Sequence, residues 1–134
     1  MSIEIRAVID TNVLVSALWS GDGKAAEIVK LVPAVITPYF SKAIIDEYTE
    51  VLNRPKFDFA TEKKEKLLSL MEEFGESVSP NKSAIPMPDE TDRVFYDTAK
   101  ASGAILITGN KKDYPDEPFI VTPSVFLSKY IEIE

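Results

Sequence analysis

Asp10 closes an apolar run, Arg6-Ala7-Val8-Ile9, and is followed at once by Thr11 and Asn12. A carboxylate at the end of a buried strand must be solvated, used as a helix cap, or bound to a cation. A second apolar run, Ala104-Ile105-Leu106-Ile107, ends in Thr108-Gly109-Asn110. In a parallel sheet both polar ends fall on the edge where α/β proteins place their chemistry. If the two strands are neighbours at a switch point, Asp10, Asn12, Thr108 and Asn110 share one crevice. The chain has no histidine and no cysteine. That removes Ser-His-Asp and Cys-His catalysis, imidazole bases, and zinc sites built on thiolates or histidines. What remains is carboxylates, hydroxyls, amides and lysines, or a metal held by oxygens, which suits Mg²⁺ or Mn²⁺.

Two helices can bring further acids. In the stretch after Pro38, the residues Ile44, Ile45, Tyr48, Val51 and Leu52 fill one arc at about 100° per residue. Glu47 borders that arc more closely than Asp46 or Glu50, which read as solvated. It is either a cleft-facing acid or an ordinary boundary residue. Asp89-Glu90-Thr91-Asp92 precedes a second helix. Acids there commonly cap free N–H groups and favour the dipole, which accounts for Asp89 and Glu90. Asp92 lies one turn in, beside the Val94-Phe95-Thr98-Ala99 arc, and stays a candidate. Asp97 is expected in solvent. For Asp10 a cap on the helix that follows competes with a functional role, and Thr108-Gly109-Asn110 can also be plain turn chemistry.

The elements that would position these groups alternate. Ile3–Ile9 reads as a strand buried on both faces, followed by helices over Asn12–Leu18 and Lys24–Leu31. A short strand is expected at Ala34–Thr37, and Pro38 then opens a helix over Tyr39–Asn53. Thr61 caps a further helix that Gly75 ends as a left-handed C′ residue. Glu76-Ser77-Val78 is a weak strand, Pro80–Pro88 a loop, and Asp89–Ser102 a helix broken by Gly103. Strands follow at Ala104–Ile107 and Phe119–Val121, with a last helix over Pro123–Tyr130 capped by Thr122. Such alternation predicts an α/β fold with a central parallel sheet covered by helices on both faces. At 134 residues and 45% hydrophobic, one domain over 1–134 is expected.

No apolar run approaches the length of a membrane span, and the N-terminus carries no basic stretch of a signal peptide, so a cytoplasmic home is expected. The net charge of −7 argues against a nucleic-acid coating protein. It leaves room for an enzyme whose acids are gathered in one metal site.

The chain resembles the PIN domain family of metal-dependent ribonucleases, and within it the toxin components of toxin–antitoxin pairs. The resemblance rests on Val8-Ile9-Asp10-Thr11-Asn12-Val13-Leu14-Val15-Ser16-Ala17 and on Glu47-Tyr48-Thr49-Glu50-Val51-Leu52-Asn53-Arg54-Pro55-Lys56-Phe57. It continues through Asp92-Arg93-Val94-Phe95 and Ile107-Thr108-Gly109-Asn110-Lys111-Lys112. These segments come in the family's order and span most of the chain. The resemblance implies a three-layer α/β sandwich around a sheet of about five parallel strands. It implies that Asp10, Glu47 and Asp92 are catalytic and hold Mg²⁺ or Mn²⁺, that Asn12 and Thr108 support them, and that RNA is cut by metal-activated water. The family often has a fourth acid where this chain has Asn110, an uncharged carbonyl donor. Asp113 lies nearby to compensate. Lys111, Lys112 and Arg54 are candidates for substrate phosphates, against a reading as solvated turn residues for the two lysines. An antitoxin protein and a second copy of the chain are the implied partners, with Trp19 as a candidate interface residue. The rival reading is a catalytically weak PIN-like module that binds protein. A receiver-like phosphoacceptor domain is disfavoured, because Thr11 stands where paired acids would be needed and no acceptor Asp follows a middle strand.

Overall fold

Ala7, Val8 and Ile9 are all fully buried, so both faces of the first strand are covered, as its unbroken apolar run requires. The computed structural model describes residues 4–131. Strand β1 is Ile5–Ile9, and Ile3, expected to open it, lies outside the described residues. Helices α1 (Thr11–Trp19) and α2 (Lys24–Lys30) lead to β2 (Ile36–Phe40). Next come α3 (Lys42–Leu52), α4 (Thr61–Phe74) and a two-residue β3 (Glu76–Ser77). After the loop, a 3₁₀ turn at Glu90–Asp92 runs into α5 (Arg93–Ser102). The chain ends with β4 (Ile105–Ile107), a 3₁₀ turn at Lys111–Asp113, β5 (Ile120–Val121), α6 (Pro123–Phe126) and one π turn at Leu127–Ile131.

The sheet order is β3-β2-β1-β4-β5, and every pairing is parallel. It is the α/β three-layer arrangement expected, with helices over both faces. β1 pairs with β2 on one side and β4 on the other, Ile9 opposite Ile107. The topological switch point therefore falls between β1 and β4, where a ligand crevice opens beyond the strand ends. Among the described residues, no helix is long and apolar enough to cross a membrane.

Several local expectations are corrected. Pro38 sits inside β2 and opens no helix. Ile36, Thr37 and Pro38 pair with β1, and Tyr39 and Phe40 with β3. The missing N–H thus falls at the hand-over from one neighbour to the other, where it breaks least. Ser41 caps α3 instead, its hydroxyl accepting from the Ile44 N–H at 3.3 Å. Thr61 is the first helical residue of α4, and Ala60 is its cap position. Gly75 is extended (φ −101°), not left-handed. It is required by crowding: a Cβ there would lie 2.5 Å from the Met71 carbonyl oxygen and 2.6 Å from that of Pro38. Gly103 does take the left-handed conformation that ends α5 (φ 68°), and Thr122 caps α6 as read.

Candidate functional site

Asp10 occupies the first position before α1, yet its side chain makes no capping hydrogen bond. Its Oδ2 accepts from the Thr108 hydroxyl at 2.8 Å and from the Tyr114 hydroxyl at 2.8 Å. The cap reading fails, and the carboxylate is held by groups from the other side of the switch point. It is 5% exposed. Burial raises its proton affinity, and the donors around it, Thr108 and Tyr114 first, pull the other way.

The polar ends of β1 and β4 interlock. Thr108 is fully buried; besides donating to Asp10, its oxygen accepts from the Asn110 backbone N–H at 3.0 Å. Asn12 lies across the gap: its Oδ1 accepts from the Gly109 N–H at 2.8 Å and its Nδ2 approaches the Thr108 hydroxyl at 3.4 Å. So Asn12 and Thr108 tie the first turn of α1 to the turn after β4. Asn110 is exposed, and its side chain caps nothing in the 3₁₀ turn that follows. Lys111 and Lys112 are exposed on that turn.

Glu47 is fixed by its neighbour as much as by itself. Tyr48 is buried, and its hydroxyl donates to the Ile9 carbonyl at 2.5 Å, which docks α3 against the end of β1. Glu47 then faces Thr11, whose hydroxyl donates to Oε2 at 2.7 Å. Burial raises the Glu47 proton affinity, and the charge of Asp10 adds to it. Arg54 acts on Glu47 in the opposite sense, but its guanidinium is bound to Glu50 at 2.8 and 3.1 Å.

Asp92 ends the 3₁₀ turn that leads into α5. Its carboxyl is pushed up to about 7, first by burial and then by the charges of Asp10, Asp89, Asp113 and Glu47. The charges of Asp10 and Glu47 thus reach Asp92 across the crevice. The neighbouring acids are spoken for: Asp89 caps Thr91, and Glu90 pairs with Arg93. Among the described residues, Asp10, Glu47 and Asp92 form no ion pair with a lysine or arginine.

Among the described residues, no three acids are gathered tightly enough to enclose an ion by themselves. The donors are nonetheless all oxygen, free of ion pairs among the described residues, and mutually repelling. This fits a hard divalent cation held partly through water, as Mg²⁺, reluctant to dehydrate, usually is.

Asp97 corrects the sequence reading. It is 6% exposed and accepts from the Ser83 N–H at 3.0 Å, while Arg93 donates to the Ser83 carbonyl at 2.9 Å. The proline-rich loop folds over α5, a tertiary contact that helical periodicity does not register. Two working residues escaped the sequence reading as well, Tyr114 and Thr11. For Tyr114 the available signal was an aromatic residue closing a turn of charged residues. Thr11 gave no signal beyond following Asp10.

Residues 6–112 match the PIN domain family. An uncharacterised protein of Methanocaldococcus jannaschii is 33% identical over 113 residues, covering 81% of this chain and 73% of that protein. Two solved structures share the fold. A chain of a toxin–antitoxin complex from Klebsiella pneumoniae superposes with TM-score 0.59 at 22% identity, over 87% of this chain and 97% of that one. A chain of VapBC2 from Rickettsia felis, bound to a DNA fragment from their promoter, superposes with TM-score 0.53 at 16% identity, over 88% and 97%. With the family match spanning residues 6–112 and the fold shared with these solved structures, this chain belongs to the PIN domain family.

Proposed function

We propose that the chain is a divalent-metal-dependent endoribonuclease, acting in the cytoplasm as the toxin of a toxin–antitoxin pair. The observation that carries this reading is that Asp10, Glu47 and Asp92, brought from three elements to the switch point, act on one another electrostatically, and that among the described residues none of them is held in an ion pair. Such an arrangement costs stability and is retained where a cation binds. Asp10, Glu47 and Asp92 would hold Mg²⁺ or Mn²⁺. A cation bound there supplies Lewis acidity, neutralises phosphate charge and makes water a better nucleophile at neutral pH.

The chain's own contribution is positioning. Thr108 and Tyr114 fix one oxygen of Asp10, and Thr11 fixes one oxygen of Glu47. Asp10 and Glu47 are thereby oriented before any ligand arrives, which lowers the cost of ordering them. With no histidine in the chain, the proton lost by the attacking water goes to a carboxylate or to solvent. Lys111 and Lys112 follow Asn110 on an exposed turn, where they can meet substrate phosphates. Arg54 would have to leave Glu50 to do so.

For a partner, the groove lined by Leu18, Val29, Leu67, Leu70 and Phe74 offers about 430 Å³ of largely apolar space, with Phe74 43% exposed. An amphipathic segment of an antitoxin is the occupant this surface suits, and both solved neighbours come from toxin–antitoxin assemblies. A homodimer is the other assembly proposed.

The second reading is a PIN-like protein-binding module with weak catalysis, favoured by Asn110 standing where the family often has an acid. Mn²⁺-dependent cleavage of RNA by the wild type and by Asp10→Asn separates the two. The nuclease reading expects activity that is lost in Asp10→Asn. Equal activity in both, or none in either, leaves the binding module.

A further inference from the structure

We propose that Trp19, Phe57 and Phe59 form a platform on which an unpaired base of the substrate stacks. The inference rests on the ribonuclease reading above.

Trp19 is the last residue of α1 and is 66% exposed, the most exposed large apolar side chain among the described residues. It is not loose. Its ring meets Phe57 edge to face, centroids 5.4 Å apart, and Phe59 at 6.0 Å. Phe57 and Phe59 lie almost parallel, centroids 5.3 Å apart and planes 10° from each other. Between them Asp58 takes φ 50°, the single positive-φ residue other than glycine among those described. Asp tolerates this left-handed conformation better than most residues, and such positions persist where surrounding structure holds them. The left-handed Asp58 sits at the centre of the aromatic pair, where the chain must turn for both rings to stack.

The location decides what such a cluster is for. Trp19 and Phe57 line the same cleft as Asp10, Thr11, Asn12 and Glu47, a space of about 410 Å³. One wall is acidic and polar, the other aromatic. The Lys56 ammonium stands 5.2 Å from the Phe57 ring centroid, placing a positive charge beside the aromatic wall. Aromatic faces next to a cation, on the path to the phosphodiester, are the chemistry of single-strand binding. A base inside a duplex has both faces covered and cannot use them. A protein docked on this rim would instead close the cleft over Asp10 and Glu47.

Trp19 is the chain's single tryptophan, so its fluorescence reports the contact directly. The experiment compares wild type, Trp19→Leu and Trp19→Phe in Mn²⁺-dependent cleavage of a short single-stranded RNA. It also titrates Asp10→Asn, in Mg²⁺, with that strand and with its duplex. Loss of one stacked base is expected to raise KM about 5- to 100-fold in Trp19→Leu. Because a stacked base is held equally in the bound substrate and in the transition state, kcat should hold. Trp19→Phe should recover most of the loss, which a merely structural role would not require. The single strand should quench the tryptophan, and the duplex should not. An unchanged KM in Trp19→Leu, with the wild type active, overturns the platform and leaves the ribonuclease standing. So does equal quenching by the duplex, or a change of oligomeric state in Trp19→Leu with cleavage intact, which would make the cluster a protein interface. A wild type that cleaves no RNA overturns both readings together.

Discussion

Replacing Asp92 by Asn should stabilise the metal-free protein at alkaline pH and do nothing at low pH. The Asp92 carboxyl titrates near 3.8 when unfolded and is held up to about 7 in the fold. A raised acid favours the folded state only while protonated. The contribution is thus fully present below pH 3.8, declines as pH rises, and is gone above about 7. At pH 8 the wild type carries a charge there that the fold opposes, and Asn removes it. A shift of this size corresponds to about 4 kcal/mol. Asp92 is only partly buried, so solvent screening brings the expected gain to about 1–2 kcal/mol. That is a rise in Tm of about 4–8 °C for a chain of this length. The assay is thermal and urea denaturation of both proteins in EDTA from pH 4 to pH 9. Mg²⁺ should then narrow the difference at pH 8, because a cation that binds only the folded wild type stabilises it. If Asp92→Asn is no more stable than the wild type at pH 8, or if the gap is the same at every pH, the acids do not share one field. The argument for a common site then loses its physical basis.

Other perturbations separate support from chemistry. Tyr114→Phe removes one donor from a buried carboxylate and should cost about 1.5–3 kcal/mol at pH 8 by urea denaturation. The loss should be smaller at pH 4, because the donor favours the charged form of Asp10; a loss independent of pH would mean that Tyr114 only packs. Gly75→Ala places a methyl group against two backbone carbonyls and should cost about 1–3 kcal/mol with an unchanged dependence of cleavage on Mn²⁺. A neutral effect on stability would show that the β3 edge relaxes freely. Asp113→Asn should lower the Asp92 pKa, read by NMR titration of its carboxyl group, and an unmoved value would show that the two do not interact.

The sequence made the middle of the sheet legible because Ala7-Val8-Ile9 and Leu106-Ile107 are apolar and buried on both faces, so that pattern and burial agree. It made Asp10 a candidate because the acid ends an apolar strand, whereas spacing left Glu47 and Asp92 open and only the resemblance to the PIN family singled them out. What it hid has a common cause. Pro38 reads locally as a helix opener, and only knowledge of where β1 hands over to β3 shows that a strand can carry it. Gly75 reads as a helix end, yet what demands it is a carbonyl from β2. Asp97 reads as solvated, and a loop ten or more residues upstream covers it. In each case a tertiary contact overrode a local preference, and single-sequence patterns contain no record of that contact. Tyr114 belongs here too, since its partner Asp10 is 104 residues away.

Asn110 stands where the resemblance to the family implies an acid, and the charge around Asp92 bears on it. An uncharged residue at the end of β4 would be expected to leave that side of the crevice neutral. Yet Asp113, on the turn that Asn110 opens, is close enough to raise the Asp92 carboxyl. The turn is short and tied down: the Asp113 N–H bonds to the Asn110 carbonyl at 2.9 Å, and the Asn110 N–H bonds to Thr108. Asp113 therefore brings negative charge to the β4 side of the crevice from a turn that hydrogen bonds hold in place. A carboxylate placed in this way acts at longer range than a direct ligand, and its attraction for a cation in water falls with distance and salt. If the site holds a divalent cation as proposed, this arrangement favours one cation near Asp10 over a symmetric pair. Any second cation drawn to the β4 side would be weak and sensitive to ionic strength.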